Sequence, residues 1–342
     1  MKKMVLLLVA VLLLGICGNA LAASNVVNRE VMETKNWDDQ DILMKVRWSG
    51  VNFYEFVLPN GKTIVMDPYF DPDTSGTGHN EFNYTPTDLP AGEWVHGADY
   101  ILLTHTHGDH CAQLKEVLEK YPDAFIVVPE NAFPELVLRY GIGGSLRWVT
   151  IGAIDKLSFL GCTVDCVRSN HNLSKGTQLK DLDSSKYEET GAKGDYYTNQ
   201  FQNQIANYKI TTDEGFTVLL WNSEMYDQYG YEARMWFYKD AQPDLFMYQV
   251  AGASFNYDRR NPECGPMGRF VASVRPKAAL PEHQQHFAYS ELDAIATQFC
   301  GYCDEQGVSC EFLTPETGVW YGYTKDADGT VHVYRLLDPA PN

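Results

Sequence analysis

The stretch ILLTHTHGDHC, residues 101–111, restricts what this chain can become more than any other. It spends three of the chain's nine histidines, with an aspartate, inside six positions directly after an apolar run. A short apolar run reads as a buried strand, and a His- and Asp-rich turn is a poor continuation of any core element. The strand therefore leads to a place that needs imidazole and carboxylate together. His105 and His107 are two apart, so at a strand end both side chains leave on one side. Asp109 and His110 follow as the chain turns into the helical spacing of CAQLKEVLEKY, and Gly108 permits the tight backbone between. Imidazole nitrogen and carboxylate oxygen are donors that Zn²⁺ takes at roughly 2.0–2.2 Å. Four such groups in six residues crowd one ion and suit two.

Around this motif the chain reads as α/β. KVRWSGVNFYEFVLPNGKTIVMDPYF carries two β-rich runs flanking Pro59-Asn60-Gly61, a hairpin signal. AFIVVP, LRWVTI, KLSFL, CTVDCVRSN, DLFMYQVAG, VSCEFL and VWYGYT are further strand candidates, and YKITTDEGFTVLLWN is a second hairpin. NAFPELVLRYG, YEARMWFYKD, MGRFVASV and SELDAIATQFCGYCDEQG have helical character. Strands in two series, each mixed with helices, predict two packed sheets with helices outside. Residues 23 to about 42 read as a loose polar lead-in, and 71–95 as loop. Residues 172–206 are long, polar and weakly apolar, which predicts an inserted loop or lid. No linker divides the remainder, so residues 23–342 are expected to form a single domain.

The first 22 residues, MKKMVLLLVAVLLLGICGNALA, have a basic start, an apolar stretch and an Ala-Leu-Ala end, as a cleaved secretory signal peptide does. An uncleaved anchor is the alternative, although the apolar stretch is shorter than the ~20 residues of a full span. Ile16 before Cys17 disfavours a lipid anchor. After cleavage no stable membrane insertion is expected, and the location is periplasmic or secreted. The 27 basic and 45 acidic residues give a net charge of −18, and −20 once Lys2 and Lys3 are removed. Such a surface repels phosphate backbones, which argues against nucleic acid as a partner. No sequence feature sets an oligomeric state. Seven cysteines follow residue 22: Cys111, Cys162, Cys166, Cys264, Cys300, Cys303 and Cys310. On a strand, Cys162 and Cys166 would lie about 13 Å apart, too far to bridge. Cys300, Cys303 and Cys310 could hold one bridge.

H-x-H-x-D-H after a buried strand resembles the motif of the metallo-β-lactamase superfamily, and the likeness extends over roughly residues 45–325. GKTIVMDPYF resembles its early hairpin ending in an aspartate, here Asp67. CVRSNH resembles the strand that delivers a third histidine, His171. FTVLLWNSE resembles the strand that ends in a metal-bridging aspartate, and RPKAALPEH the segment that ends in the last histidine, His283. The hairpin-to-Asp-Pro opening and the Pro-x-His ending are most similar to the ascorbate-6-phosphate lactonase-like branch. The resemblance implies a four-layer αββα sandwich of two mixed sheets. It implies His105, His107 and His171 around one divalent ion and Asp109, His110 and His283 around a second. The metals would be zinc, with manganese or iron as alternatives. Where the family has Gly-Asp this chain has Ser223-Glu224, so Glu224 would be the bridging carboxylate, with Asn222 and Ser223 as weaker oxygen donors. His286 rivals His283. Asp67 would support the site through hydrogen bonds, and Cys111 would pack.

A two-metal site lowers the pKa of a bound water so that hydroxide exists near neutral pH. The implied function is a secreted metal-dependent hydrolase whose metal-bound hydroxide cleaves an ester, lactone, amide or phosphodiester of a small-molecule substrate. Asp109 would orient the nucleophile. The alternative is an exported metal-binding protein with a degenerate, non-catalytic site, which the Glu224 departure favours.

Overall fold

The computed structural model describes residues 23–69, 91–106, 108–132, 136–137, 147–152, 154–170, 204–222, 237–250, 265–285 and 287–337. The chain starts with β1 (Asn25–Val26), a 3-10 turn (Arg29–Val31) and β2 (Thr34–Lys35). Then come β3 (Met44–Gly50), β4 (Phe53–Val57), β5 (Thr63–Met66), α1 (Ala91–Trp94), β6 (Tyr100–Leu102), α2 (Gly108–Cys111), α3 (Leu114–Lys120), β7 (Phe125–Pro129) and β8 (Arg147–Ile151). The second series is β9 (Ile154–Phe159), β10 (Cys162–Asn170), β11 (Gln204–Thr212), β12 (Thr217–Trp221) and β13 (Leu245–Gln249). It continues through α4 (Gly265–Val274), β14 (Ala278–Glu282), α5 (Tyr289–Glu305), β15 (Glu311–Phe312), β16 (Trp320–Lys325) and β17 (Val331–Leu336).

Among the described residues these strands form two mixed sheets. One is eight-stranded, ordered β1-β15-β14-β13-β12-β11-β10-β9, and the other nine-stranded, ordered β2-β17-β16-β3-β4-β5-β6-β7-β8. Each has a parallel part, β12-β13-β14-β15 in the first and β5-β6-β7-β8 in the second, continued by antiparallel strands. Alternation along the strands explains the layering. Leu220 and Leu280 join Trp48, Tyr54 and Ile64 in a core between the sheets. Their neighbours Trp221 and Ala279 turn the other way, against Met267 and Val271 of α4 and Leu292 and Phe299 of α5. A strand buried on both faces is apolar throughout, and TVLLW is such a run.

On the nine-stranded sheet, Arg47 and Glu55 alternate with core residues Val46 and Tyr54 and so face outward. There α1 covers them. Arg47 Nη2 donates to the Trp94 carbonyl at 2.7 Å, and the His96 backbone N–H donates to Glu55 Oε2 at 2.7 Å. The Arg47 guanidinium lies 4.9 Å from the Trp94 ring and 4.8 Å from that of Trp320, and is paired with Glu55. A buried charge is tolerable where it is paired and hydrogen-bonded in this way. The expected sandwich of two mixed sheets with helices outside is the observed one.

Four details differ from the sequence reading. Within 71–95, read as loop, Ala91–Trp94 form α1. Residues 23–42 are not a loose lead-in: β1 pairs with β15 of one sheet and β2 with β17 of the other. KVRWSG and NFYEFV are separate strands, with a register shift between Trp48 and Gly50. A last strand, β17, follows Lys325, where no strand was expected. The loop or lid at 172–206 lies outside the described residues except for Gln204–Ala206, which begin β11.

Candidate metal centre

The site lies where β5, β6 and β14 end, at the carboxyl ends of strands, where open α/β sheets place their ligands. β6 is held from both sides at its exit. The Leu103 N–H donates to the Val127 carbonyl at 2.9 Å. From the opposite sheet, the Tyr208 hydroxyl donates to the Leu103 carbonyl at 2.5 Å, and the Ala206 N–H to the Thr104 carbonyl at 2.8 Å. Likewise the Tyr54 hydroxyl crosses between sheets to the Pro281 carbonyl at 2.5 Å, two residues before His283. The backbone that presents His105, Asp109, His110 and His283 is thus fixed by bonds between the two layers.

Asp109, His110 and His283 each offer a ligand atom within 4.8 Å of the others. His283 Nε2 is 3.2 Å from Asp109 Oδ2, and the His110 and His283 ring centroids are 5.8 Å apart. His105, 1% exposed, stands beside them with its ring centroid 3.9 Å from that of His110. His283 (φ 58°) and Asp67 (φ 44°) both adopt the left-handed backbone region, which costs free energy for residues other than glycine and concentrates at functional sites. These strained positions follow directly on the ends of β14 and β5.

Asp67 organises this group. Fully buried, it accepts from the Thr104 N–H at 2.7 Å, the Thr104 hydroxyl at 2.5 Å and His110 Nδ1 at 2.7 Å. A carboxylate on Nδ1 fixes the tautomer of His110, leaves Nε2 as the donor and makes it more basic. Burial opposes charge on His110, but Asp67 and then Asp109 outweigh it and raise its pKa. Asn52 Nδ2 lies 2.8 Å from His110 Nε2, so ligation there requires Asn52 to turn aside. On His283, Nδ1 is 3.0 Å from Gln285 Nε2. The metal-binding tautomer, with Nδ1 protonated, needs this amide turned to present its oxygen. Beneath lies Glu282, fully buried, whose pKa is driven well above the ordinary carboxylate range by burial and then by the charge of Asp67.

Asn222, the alternative oxygen donor, is buried at the end of β12. Its Nδ2 donates to Glu282 Oε2 at 3.3 Å and its backbone N–H to Asn207 Oδ1 at 2.9 Å. Its Oδ1 is buried and has no hydrogen-bond partner among the described residues, as suits a metal-binding oxygen. His107, His171, Ser223, Glu224 and His286 lie outside the described residues. Cys111 packs in the core between the sheets. Sequence reasoning missed Asn52, Thr104, Glu282 and Gln285. Gln285 carried a local signal, two residues from His283 in EHQQH, whereas Asn52 reaches the site only through the tertiary fold. Two imidazoles and a carboxylate within mutual reach, one imidazole backed by a buried carboxylate, fit a divalent ion by the chemistry of the donors.

No family model matches the chain. A metal-dependent hydrolase of the UPF0173 group from Xanthobacter autotrophicus is 30% identical over 132 residues, covering 38% of this chain and 49% of that protein. Another protein of the same description from Geobacillus thermodenitrificans is 38% identical over 77 residues, 22% of this chain and 28% of its own. The chain thus spans about half the length of the first of these relatives and under a third of the second. Among solved structures, a possible metal-dependent hydrolase from Veillonella parvula superposes with a TM-score of 0.50 at 16% identity, covering 82% of this chain and 98% of that one. The chain shares with that structure its α/β fold of two mixed sheets with helices outside. A metallo-β-lactamase fold protein from Bacillus subtilis gives a TM-score of 0.49 at 13% identity, covering 82% of this chain and 98% of that one. At such identities the likeness is one of fold.

Proposed function

We propose that this protein is an exported metal-dependent hydrolase acting on a small-molecule ester, lactone, amide or phosphodiester. The observation that carries the reading is the convergence of Asp109, His110 and His283, with His110 held by the buried carboxylate of Asp67. Asp109, His110 and His283 would hold one divalent ion. His105, with His107 and His171, would hold a second, and Glu224 would bridge the two. Bound ions of this kind supply Lewis acidity and bring the pKa of a water toward neutrality.

The chain's own residues do the rest. Asp67 holds Nδ1 of His110, so that Nε2 faces the donor cluster. Asp109, whose side chain is 44% exposed, stands at the mouth of the cluster and can accept a proton from the attacking water. The left-handed turns at Asp67 and His283 keep both side chains at the strand ends. Zinc suits this donor set, with manganese and iron as alternatives. The Asp-Pro opening and Pro-x-His ending support a place near the lactonase-like branch, and the signal-like start supports export. The departure at Glu224 favours a second reading, an exported metal-binding protein without turnover.

The test is metal content per chain by elemental analysis, with turnover of an ester, a lactone, a phosphodiester and a β-lactam. Metal with turnover of at least one substrate is the expected result. Metal without turnover favours the second reading, and protein that binds no divalent ion sinks both.

A further inference from the structure

We infer that Cys303 and Cys310 form a disulfide that fastens the N-terminal segment to the last turn of α5, with a thiol-exchanging disulfide as the oxidant. Three cysteines meet there, away from the metal centre. Cys300 and Cys303 lie one turn apart on α5, and Cys310 stands just before β15. All three belong to one buried cluster, with Cys303 and Cys310 0% and 1% exposed. The Cys303 and Cys310 thiols lie close enough to interact, and both are free in this structure. The chain between them turns back on itself, since the Cys303 carbonyl accepts the N–H of both Gln306 and Val308, at 3.0 and 2.9 Å.

Cys310 is also where the N-terminal segment docks. Its N–H donates to Ser24 Oγ at 3.1 Å, and its carbonyl accepts the Asn25 N–H at 3.1 Å. Ser24 binds the same turn twice more, its N–H to Asp304 Oδ1 at 2.8 Å and its hydroxyl to the Val308 carbonyl at 2.9 Å. A bond from Cys303 to Cys310 would therefore fix the platform on which β1 is laid. Burial pushes the Cys300 thiol up to about 12 and that of Cys310 well above its ordinary value, so both thiols stay neutral at pH 7 and exchange requires the turn to open.

In the reaction, one of the two cysteines attacks the incoming disulfide as thiolate and releases one thiol, and the other then displaces the second. The pair loses two protons and two electrons, and the incoming disulfide becomes two thiols. Asp304, Glu305, Gln306 and Ser309 are exposed, so opening of this single turn admits the reagent. Cys162 and Cys166 face different neighbours on β10.

The experiment uses the whole chain, reduced and then equilibrated with oxidised and reduced glutathione, alkylated and digested without reductant. Mass spectrometry is expected to find one peptide pair linked through Cys303 and Cys310, with Cys162, Cys166 and Cys300 alkylated. The oxidised protein should melt several degrees higher, and trypsin should cut at Arg29 and Lys35 several-fold more slowly than in the reduced protein. Cys310→Ala should remove the link and both differences, while Cys300→Ser should keep them. If Cys310→Ala fails to fold, the linkage map of the unaltered chain still decides the question. Linkage through Cys300 or Cys264, glutathione adducts alone, or no linkage would overturn the inference. A Cys303–Cys310 link that leaves cleavage at Arg29 and Lys35 unchanged would overturn the fastening.

Discussion

At the scale of single residues, the centre is built from ligands and from the side chains that aim them. Asp67→Asn keeps the size of the side chain but removes the charge behind His110. It should lower metal affinity about 10- to 100-fold while leaving the near-UV dichroism unchanged. Competition with a chromophoric chelator measures this, and an unaltered affinity would show that Asp67 does not tune the ligand. If Glu224 bridges two ions as proposed, Glu224→Gln should lower the metal bound per chain and the turnover together, because ions about 3.5–4 Å apart need negative charge between them. Wild-type metal and activity in that variant would rule out a bridging role. The histidine cluster was legible because its spacing is local: four donors in six residues state their purpose without a fold. The bond from His110 to Asp67 joins residues 43 apart. Its aspartate could be named from the Asp-Pro resemblance, but Asn52 and Glu282 could not, since nothing local marks a polar residue that is buried only after two sheets close.

At the scale of elements, Asp244 shows how the sheets are tied. Sitting just before β13, it accepts from the Thr217 N–H at 2.9 Å and pairs with Lys277 at 2.7 Å and, from the other sheet, with Lys325 at 3.0 Å. Burial opposes its charge, but the two lysines and Thr217 outweigh it and hold its pKa below the ordinary carboxylate value. A lowered folded pKa contributes stability that is present above the unfolded value of about 3.9 and is lost as pH falls through the folded one. Asp244→Asn should thus cost about 2 kcal/mol at pH 7, and the gap to the native chain should narrow below about pH 4. Urea denaturation at both pH values tests this, and a gap independent of pH would mean that packing, not charge, is lost. The α4–α5 contact depends on Gly268, where an added Cβ would lie 2.4 Å from Tyr302 Cδ2 and 2.9 Å from Phe299 Cδ1. Gly268→Val should cost about 1–3 kcal/mol in thermal unfolding, because buried Phe299 has no room to yield. Both helices were legible from their spacing. β1 and β2 were not, because two-residue strands are too short for any period to register. β17 does alternate buried and less buried residues along VHVYRL, a pattern that could have been read.

At the scale of the whole molecule, the N-terminal segment belongs to both sheets at once. Asn25 and Val26 pair with Glu311 and Phe312 in one, and Thr34 and Lys35 with Arg335 and Leu336 in the other. Between them Arg29 is held by Asp293 through two bonds, of 2.9 and 3.0 Å. A chain made from its N-terminus therefore delivers the first strands long before their partners exist. Contacts of such sequence separation carry a large loop-closure cost and slow the final closure of a fold. During synthesis the leading segment has nothing to pair with until the last strands emerge, so the molecule stays open at one edge of each sheet for almost the whole of its production. If the chain is exported as proposed, that delay keeps it open while it crosses the membrane. Nascent chains arrested before residue 311 should exchange the amide hydrogens of Asn25 and Val27 freely, whereas the released, complete chain should protect them. Early protection in the arrested chains would mean that these residues find another partner first.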